Sequence, residues 1–399
     1  MDRTQFTSKT SPWVPALLTA LAIAFSSSGL VQKHFGLLGL LGYVIGLILC
    51  MVLFLRFQEK IFHLVSGKAV LLGGLFLTIL ICLFAILYPI ENGQGLGKSS
   101  DRDQGLNIAS GLLMKGDYPY YPKDDFAGPL SVLPGSIIFA TPFVAMGNSA
   151  YQNIFWLAIL MLFCAWHLRD PLLGIVLTAA CVFLSPSALH EFISGGDLLT
   201  NGIFVAVLSM WALGGWMVKS PRPWALAGST ILLGCALASR PNFLFLLPVF
   251  CTLIWSRRGF PRAAIAGALV FGVTCLATLP FYFANPEGFT PLIARAKISI
   301  VEIPWASQAV IALTLFTSLS AAFTALIRPS AKPLQSFAIW GAVIILCPMI
   351  AMILLAGWAA GKPDFGFMND RFGVMYIPFL LIAAGSFLRK PVATQPCVA

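Results

Sequence analysis

Charge is what this sequence has least of. Asp, Glu, Lys and Arg together make up 10% of its 399 residues, against roughly 25% in a typical soluble domain. That scarcity excludes a water-soluble chain. With 58% hydrophobic side chains and a mean hydropathy of +0.88, most of the chain has the bilayer as its solvent. Alternating apolar and polar residues in short segments are also lacking, which excludes a membrane β-barrel. No internal repeat is detectable, so an inverted-repeat transporter has no support. No Asn-X-Ser/Thr sequon, low-complexity tract or soluble domain interrupts the chain. Cysteines are present, but eight of the nine fall inside apolar runs and Cys397 lies in the tail. They read as small apolar residues, not as a disulfide framework.

What is abundant is apolar sequence in runs of span length. Bounded by charges and Gly/Pro breaks, they fall near 13–31, 37–55, 69–89, 151–168, 172–187, 201–218, 224–239, 242–256, 263–283, 307–327, 336–358 and 372–388. The expected fold class is an all-α polytopic membrane protein with about twelve transmembrane helices in a single domain, residues 1–399. The polar leader Met1 to Ser11 passes into the first run and a second follows at once, so an uncleaved anchor is expected.

Leu130 to Met146 decides the orientation. It is apolar but carries Pro129, Pro134, Pro142, Gly128 and Gly135, which suit a helix at the interface better than a lipid-facing span. If it does not cross, one side holds Arg169, Lys219, Arg222, Arg257, Arg258, Arg262, Arg328, Lys332, Arg389 and Lys390. The other holds Arg240, Arg295, Lys297, Lys362 and Arg371. Cytoplasmic loops carry the excess of Lys and Arg, so the first side, with both termini, is expected in the cytoplasm. The formal charge of +10 is then explained by loops facing anionic lipid, and no nucleic-acid arm is present. Only Asp2, Glu59 and Asp170 of the fifteen acids fall inside, which points to chemistry on the outer face.

The one long polar stretch is the outer loop of residues 90–150, chiefly Glu91 to Pro129. Long loops between membrane helices are usually functional. Its glycines at 93, 95 and 97 follow no strand and enter no βαβ unit, so a nucleotide cradle is not expected. After Asp103, Leu106, Ala109, Leu112 and Leu113 recur at helical spacing and Gly116 closes the pattern, predicting a short juxtamembrane helix. Asp101 and Asp103 sit at its start. Ser99, Ser100 or Asp101 as a cap and Asp103 on the helix dipole is one reading; a general base that takes the proton of an acceptor hydroxyl is the other. Tyr118, Tyr120, Tyr121 and Lys123 follow with Pro119 and Pro122. They suit interface anchors and also a platform for a sugar ring.

Asp101, the amphipathic helix, the run Leu112-Leu113-Met114-Lys115-Gly116-Asp117-Tyr118-Pro119-Tyr120 and the proline-rich stretch ending Phe143-Val144-Ala145-Met146-Gly147 resemble the first outer loop of GT-C-fold membrane glycosyltransferases. The similarity is greatest to the bacterial polyprenyl-phosphate-dependent mannosyltransferase-like group, family 87. Weaker echoes are Ser194-Gly195-Gly196-Asp197, Ser239-Arg240-Pro241 and Asn369-Asp370-Arg371-Phe372. Three spans before the loop, where relatives commonly have one, is a departure. The resemblance implies an inverting transfer from a polyprenyl-phosphate-linked sugar donor to a lipid or glycan acceptor, on the outer face of the inner membrane. It makes Asp101, fifteen residues before Gly116, the better match to the catalytic carboxylate, with Asp103 as the alternative.

Such a donor needs cations at the outer surface, and Arg240 and Arg371 are the expected ones, beside Arg102, Arg295 and Lys297. A basic residue at a helix end also serves as a snorkelling anchor. His190, with Glu191 beside it, and Asp197 are expected to be structural or to bind acceptor. Their spacing does not suit a metal. Asp101-Arg102-Asp103 has a D-x-D form, but no cofactor is expected, since a monophosphate donor leaves little charge for a divalent metal ion to neutralise. A lipid-linked glycan polymerase, ligase or flippase-like transporter is the alternative class. Transport predicts ionisable groups at mid-membrane, and the sequence places them at helix ends.

Overall fold

A computed structural model describes residues 13–65, 67–92, 102–120, 130–293, 305–361 and 370–388. Every regular element among them is helical, with no strand. In hydrocarbon each backbone N–H and C=O must be satisfied within its own segment, and uninterrupted apolar runs do that as helices. The helices are α1 Trp13–Val65, α2 Ala69–Asn92, α3 Arg102–Lys115, α4 Pro134–Ala145, α5 Gln152–Leu168, α6 Pro171–Phe183 and α7 Pro186–Ile193. There follow α8 Leu198–Met217, α9 Pro223–Leu237, α10 Leu247–Arg258, α11 Phe260–Ala284, α12 Ala306–Ile327, α13 Pro333–Ala360 and α14 Ile377–Leu388. Four 3₁₀ segments, Ser149–Tyr151, Pro241–Leu246, Thr290–Ile293 and Asp370–Tyr376, lead into or follow helices.

Seven of these are long and apolar enough to cross a membrane, or eight if α6 and α7 are one bent span. The protein is therefore a membrane-embedded helical one. Each of the twelve expected runs is helical, but not each is a full-length straight helix. The first two merge into the 53 residues of α1, broken at Gly36, whose φ of 66° lies in the left-handed region. The fifth is bent by 86° between α6 and α7. Ser185 restarts it as N-cap, accepting a hydrogen bond from the Ala188 N–H at 3.2 Å, with Pro186 at the first helical position. The seventh is α9, 15 residues or ~22 Å at 1.5 Å per residue, short of ~30 Å of hydrocarbon. Leu130 to Met146 gives α4, 12 residues, and shorter still.

The core sits around α8. In its most apolar stretch 83% of residues are buried, against 11% in α1. A helix apolar on every face lies either in a protein core or against lipid; α8 is of the first kind, with α5, α9, α10, α13 and α14 around it. Phe204 and Leu199 are fully buried there, with Phe243, Phe337 and Phe379 packed in from neighbouring elements. A satellite cluster of Leu106, Ala109, Val132, Ile137 and Phe289 joins α3 to α4 and to the turn after α11.

The two ends of the bundle differ in chemistry. At one, arginines reach main-chain carbonyls: Arg262 Nη2 donates to Val218 O at 2.7 Å and Arg258 Nε to Met217 O at the end of α8, and Arg257 Nη2 donates to Ser330 O in the link between α12 and α13. At the other, where α2 ends and α5 and α8 begin, buried carboxylates gather.

Candidate functional site

The carboxylate end is assembled by α3. Its predicted C-terminus is present: Gly116 takes φ of +82°, its N–H reaches Leu113 O at 3.0 Å, and the Asp117 N–H reaches Leu112 O at 2.9 Å. This paired closure needs a left-handed residue, hence glycine. The apolar face of α3 lies on α4, and Ser110 Oγ donates to Ile137 O. That docking carries Asp103, in the first helical turn, into the bundle, where it is 3% exposed.

Asp103 is held from two sides. The Tyr88 hydroxyl, near the end of α2, donates to Asp103 Oδ2 at 2.6 Å, and Asn148 Nδ2 donates to that same hydroxyl at 2.6 Å. Ser149 Oγ donates to Asp103 O at 3.1 Å, and the Ser149 N–H donates to Asn107 Oδ1 at 2.7 Å. Stacking on Phe84, with centroids 4.7 Å apart, fixes the Tyr88 ring.

The turn Ser194 to Asp197 closes over this cluster because of its two glycines. Gly195 has φ of +73°, and a Cβ there would lie 2.8 Å from the Tyr88 ring and 3.2 Å from Asp103 Cβ. At Gly196 a Cβ would fall on the Glu191 carboxylate. Its absence lets Glu191 Oε2, fully buried, accept the Leu198 N–H at the start of α8 at 3.3 Å, where an anion meets the helix dipole. Asn153 Nδ2 donates to Gly196 O at 3.1 Å and fastens the turn to α5.

Asp197 then meets Arg240. Arg240 Nη2 donates to Asp197 Oδ2 at 2.5 Å, and Asn201 Nδ2 to the same oxygen at 2.8 Å. The pair is buried, with side chains 8% and 1% exposed. Arg240 sits in the turn between α9 and the Pro241–Leu246 segment. This turn is tied to the start of α4 by the Leu133 N–H to Ser239 O at 3.0 Å and the Gly135 N–H to Ala238 O at 2.7 Å. Among the described residues, Arg240 Nε is buried and has no hydrogen-bond partner. An unsatisfied guanidinium N–H that is buried costs free energy unless an acceptor meets it.

The turn Ser194 to Asp197 thus touches Asp103 at Gly195 and Glu191 at Gly196, and ends at Asp197, which holds Arg240; all four charged side chains are buried. His190 stands beside it, its Nε2 3.3 Å from Glu91 Oε1 at the end of α2. Of the aromatic cluster, Tyr118 and Tyr120 are described, and the hydroxyls of both are engaged within the protein. Tyr120 is 4% exposed, its ring edge-on to Phe289 at 5.0 Å and its hydroxyl donating to Val132 O at 3.1 Å. The Tyr118 hydroxyl lies 3.1 Å from both Phe281 O and Asn285 O. Burial pushes both phenols above their ordinary value, so they remain neutral donors that pin the loop to the end of α11.

Asp101, Tyr121 and Lys123 lie outside the described residues, as do Arg295, Lys297 and the side chains of Arg102 and Arg371. Among the described residues no three His, Cys, Asp or Glu are grouped to hold a metal ion. Tyr88, Asn148, Asn107, Asn153 and Asn201 were not expected at the site. Amide side chains inside or beside apolar runs are the signal that marks them, since a buried amide in a membrane helix must find a partner. No family model, no curated protein and no solved structure matches this chain.

Proposed function

We propose that the protein is an inverting membrane glycosyltransferase that moves a sugar from a polyprenyl-phosphate-linked donor to a lipid or glycan acceptor. The observation that carries the proposal is Arg240, a buried cation oriented by Asp197 with its Nε unsatisfied among the described residues, on the turn whose Gly195 lies against Asp103. The resemblance of the 101–147 loop to the GT-C first outer loop supports the same reading.

In this reading the carboxylate of Asp101, or of Asp103, takes the proton of the acceptor hydroxyl. The acceptor oxygen bonds to the anomeric carbon from the face opposite the phosphate, and the bond from that carbon to the phosphate oxygen breaks. The electron pair leaves with the lipid phosphate, whose charge Arg240, and with it Arg371, stabilises. The topology that accompanies the proposal has about twelve spans, counting α1 as two, α6 with α7 as one, α9 as one, and α10 and α14 with their 3₁₀ leaders. The carboxylate end then faces the outside of the inner membrane, with both termini cytoplasmic.

The test is the pair Asp101→Asn and Asp103→Asn. Loss of a glycan or glycolipid product in one of them, with normal membrane abundance, supports transfer. Unchanged product in both, and in the double variant, removes the base and the proposal with it.

A further inference from the structure

At the end of the bundle away from the carboxylates, a groove of about 310 Å³ opens between the C-terminal end of α1 and the starts of α2 and α6. Phe62 and Val65 of α1, Leu72 and Phe76 of α2, and Leu172 and Val176 of α6 line it, and every other lining residue is also apolar. Water does not occupy a cavity without polar partners, and an unfilled void of this size forfeits the contacts of its walls. In a membrane protein the filler at hand is hydrocarbon.

The residues flanking the groove say which hydrocarbon. Arg56 and Lys60 lie on the turns of α1 that lead to it. Lys68 stands in the link to α2, and Arg169 precedes α6; all four are exposed. The acids nearby are Glu59 and Asp170, and Asp170 Oδ1 is engaged as N-cap of α6, accepting the Leu173 N–H at 3.1 Å. His63 adds a further basic group when protonated. The excess of cations around an apolar slot matches a molecule with a negative head and a long tail.

We propose that this groove holds one acyl chain of an anionic glycerophospholipid from the leaflet at the arginine-rich end, with its headgroup among Lys60, Lys68 and Arg169. The site lies at the other end of α2 from Tyr88 and is independent of the transfer chemistry proposed above.

The full chain, purified in detergent and presented with phosphatidylglycerol or phosphatidylcholine, tests this by native mass spectrometry. Phosphatidylglycerol is expected to remain as a one-to-one adduct under activation that strips phosphatidylcholine. Val176→Trp, which fills the slot, should abolish the preference. Lys60→Gln with Lys68→Gln should weaken retention by about fivefold for each lysine removed. The lysines are exposed, so this second variant decides the matter if the tryptophan variant does not fold. Equal retention of the two lipids, an isoprenoid species as the dominant adduct, or unchanged retention in the lysine double variant overturns the proposal.

Discussion

Arg240 is held by two demands that no other side chain in its turn meets. It neutralises Asp197, which is 1% exposed, and it presents a fork of donors suited to phosphate oxygens. Arg240→Gln should cost about 3–5 kcal/mol, because it leaves an uncompensated buried carboxylate, and thermal unfolding in detergent measures this. Adding Asp197→Asn to that variant should recover much of the loss in stability without restoring product, a split that separates packing from phosphate binding. Tyr88→Phe removes one donor to Asp103 and the acceptor of Asn148. It should destabilise by about 1–3 kcal/mol and leave membrane insertion unchanged. Sequence named Arg240, Asp197 and Asp103 because charge is rare enough in this chain for each to stand out. It did not name Tyr88 or Asn148, because their value lies in contacts across 15 and 60 residues of chain, and no local pattern records such pairings.

At the scale of elements, the turn between α7 and α8 shows how backbone freedom shapes the site. Gly195→Ala places a Cβ in a left-handed conformation and against Tyr88 and Ala150 at 2.8 Å. A cost of about 2 kcal/mol or more is expected, read by thermal shift. Gly116→Ala strains the closure of α3 alone and should cost less, about 1 kcal/mol, which the same measurement separates. The helices themselves were legible, since long apolar runs in a bilayer have one stable backbone solution. So was the end of α3, where helical spacing and Gly116 agree. The 86° bend between α6 and α7 was not. The run 172–187 reads as one span although Ser185 and Pro186 mark a helix start within it, and the Ser185 hydroxyl, which caps α7, also meets Ser27 Oγ of α1 at 2.9 Å, a contact no local pattern records. The burial of Tyr120 was not legible, because it rests on Phe289, a partner 169 residues further along the chain.

For the whole molecule, the two ends are chemically opposite: arginines that reach main-chain carbonyls at one, buried carboxylates and Arg240 at the other. Single cysteines in a cysteine-free background at Asp117 and at Lys332, both exposed, should react with an impermeant maleimide on intact cells at 117 and only after lysis at 332. In the proposed reaction the carboxylate end transfers sugar from a lipid monophosphate. The most direct measurement is release of labelled sugar from a panel of polyprenyl-monophosphate sugars by the purified full chain in lipid nanodiscs. Protein-dependent consumption of one donor, with inversion at the anomeric carbon and loss of turnover in the Asp101→Asn, Asp103→Asn double variant, is the predicted result. Turnover that persists undiminished in the folded double variant, or a panel left entirely unconsumed by active-abundance protein with acceptor lipid extract present, would contradict the account.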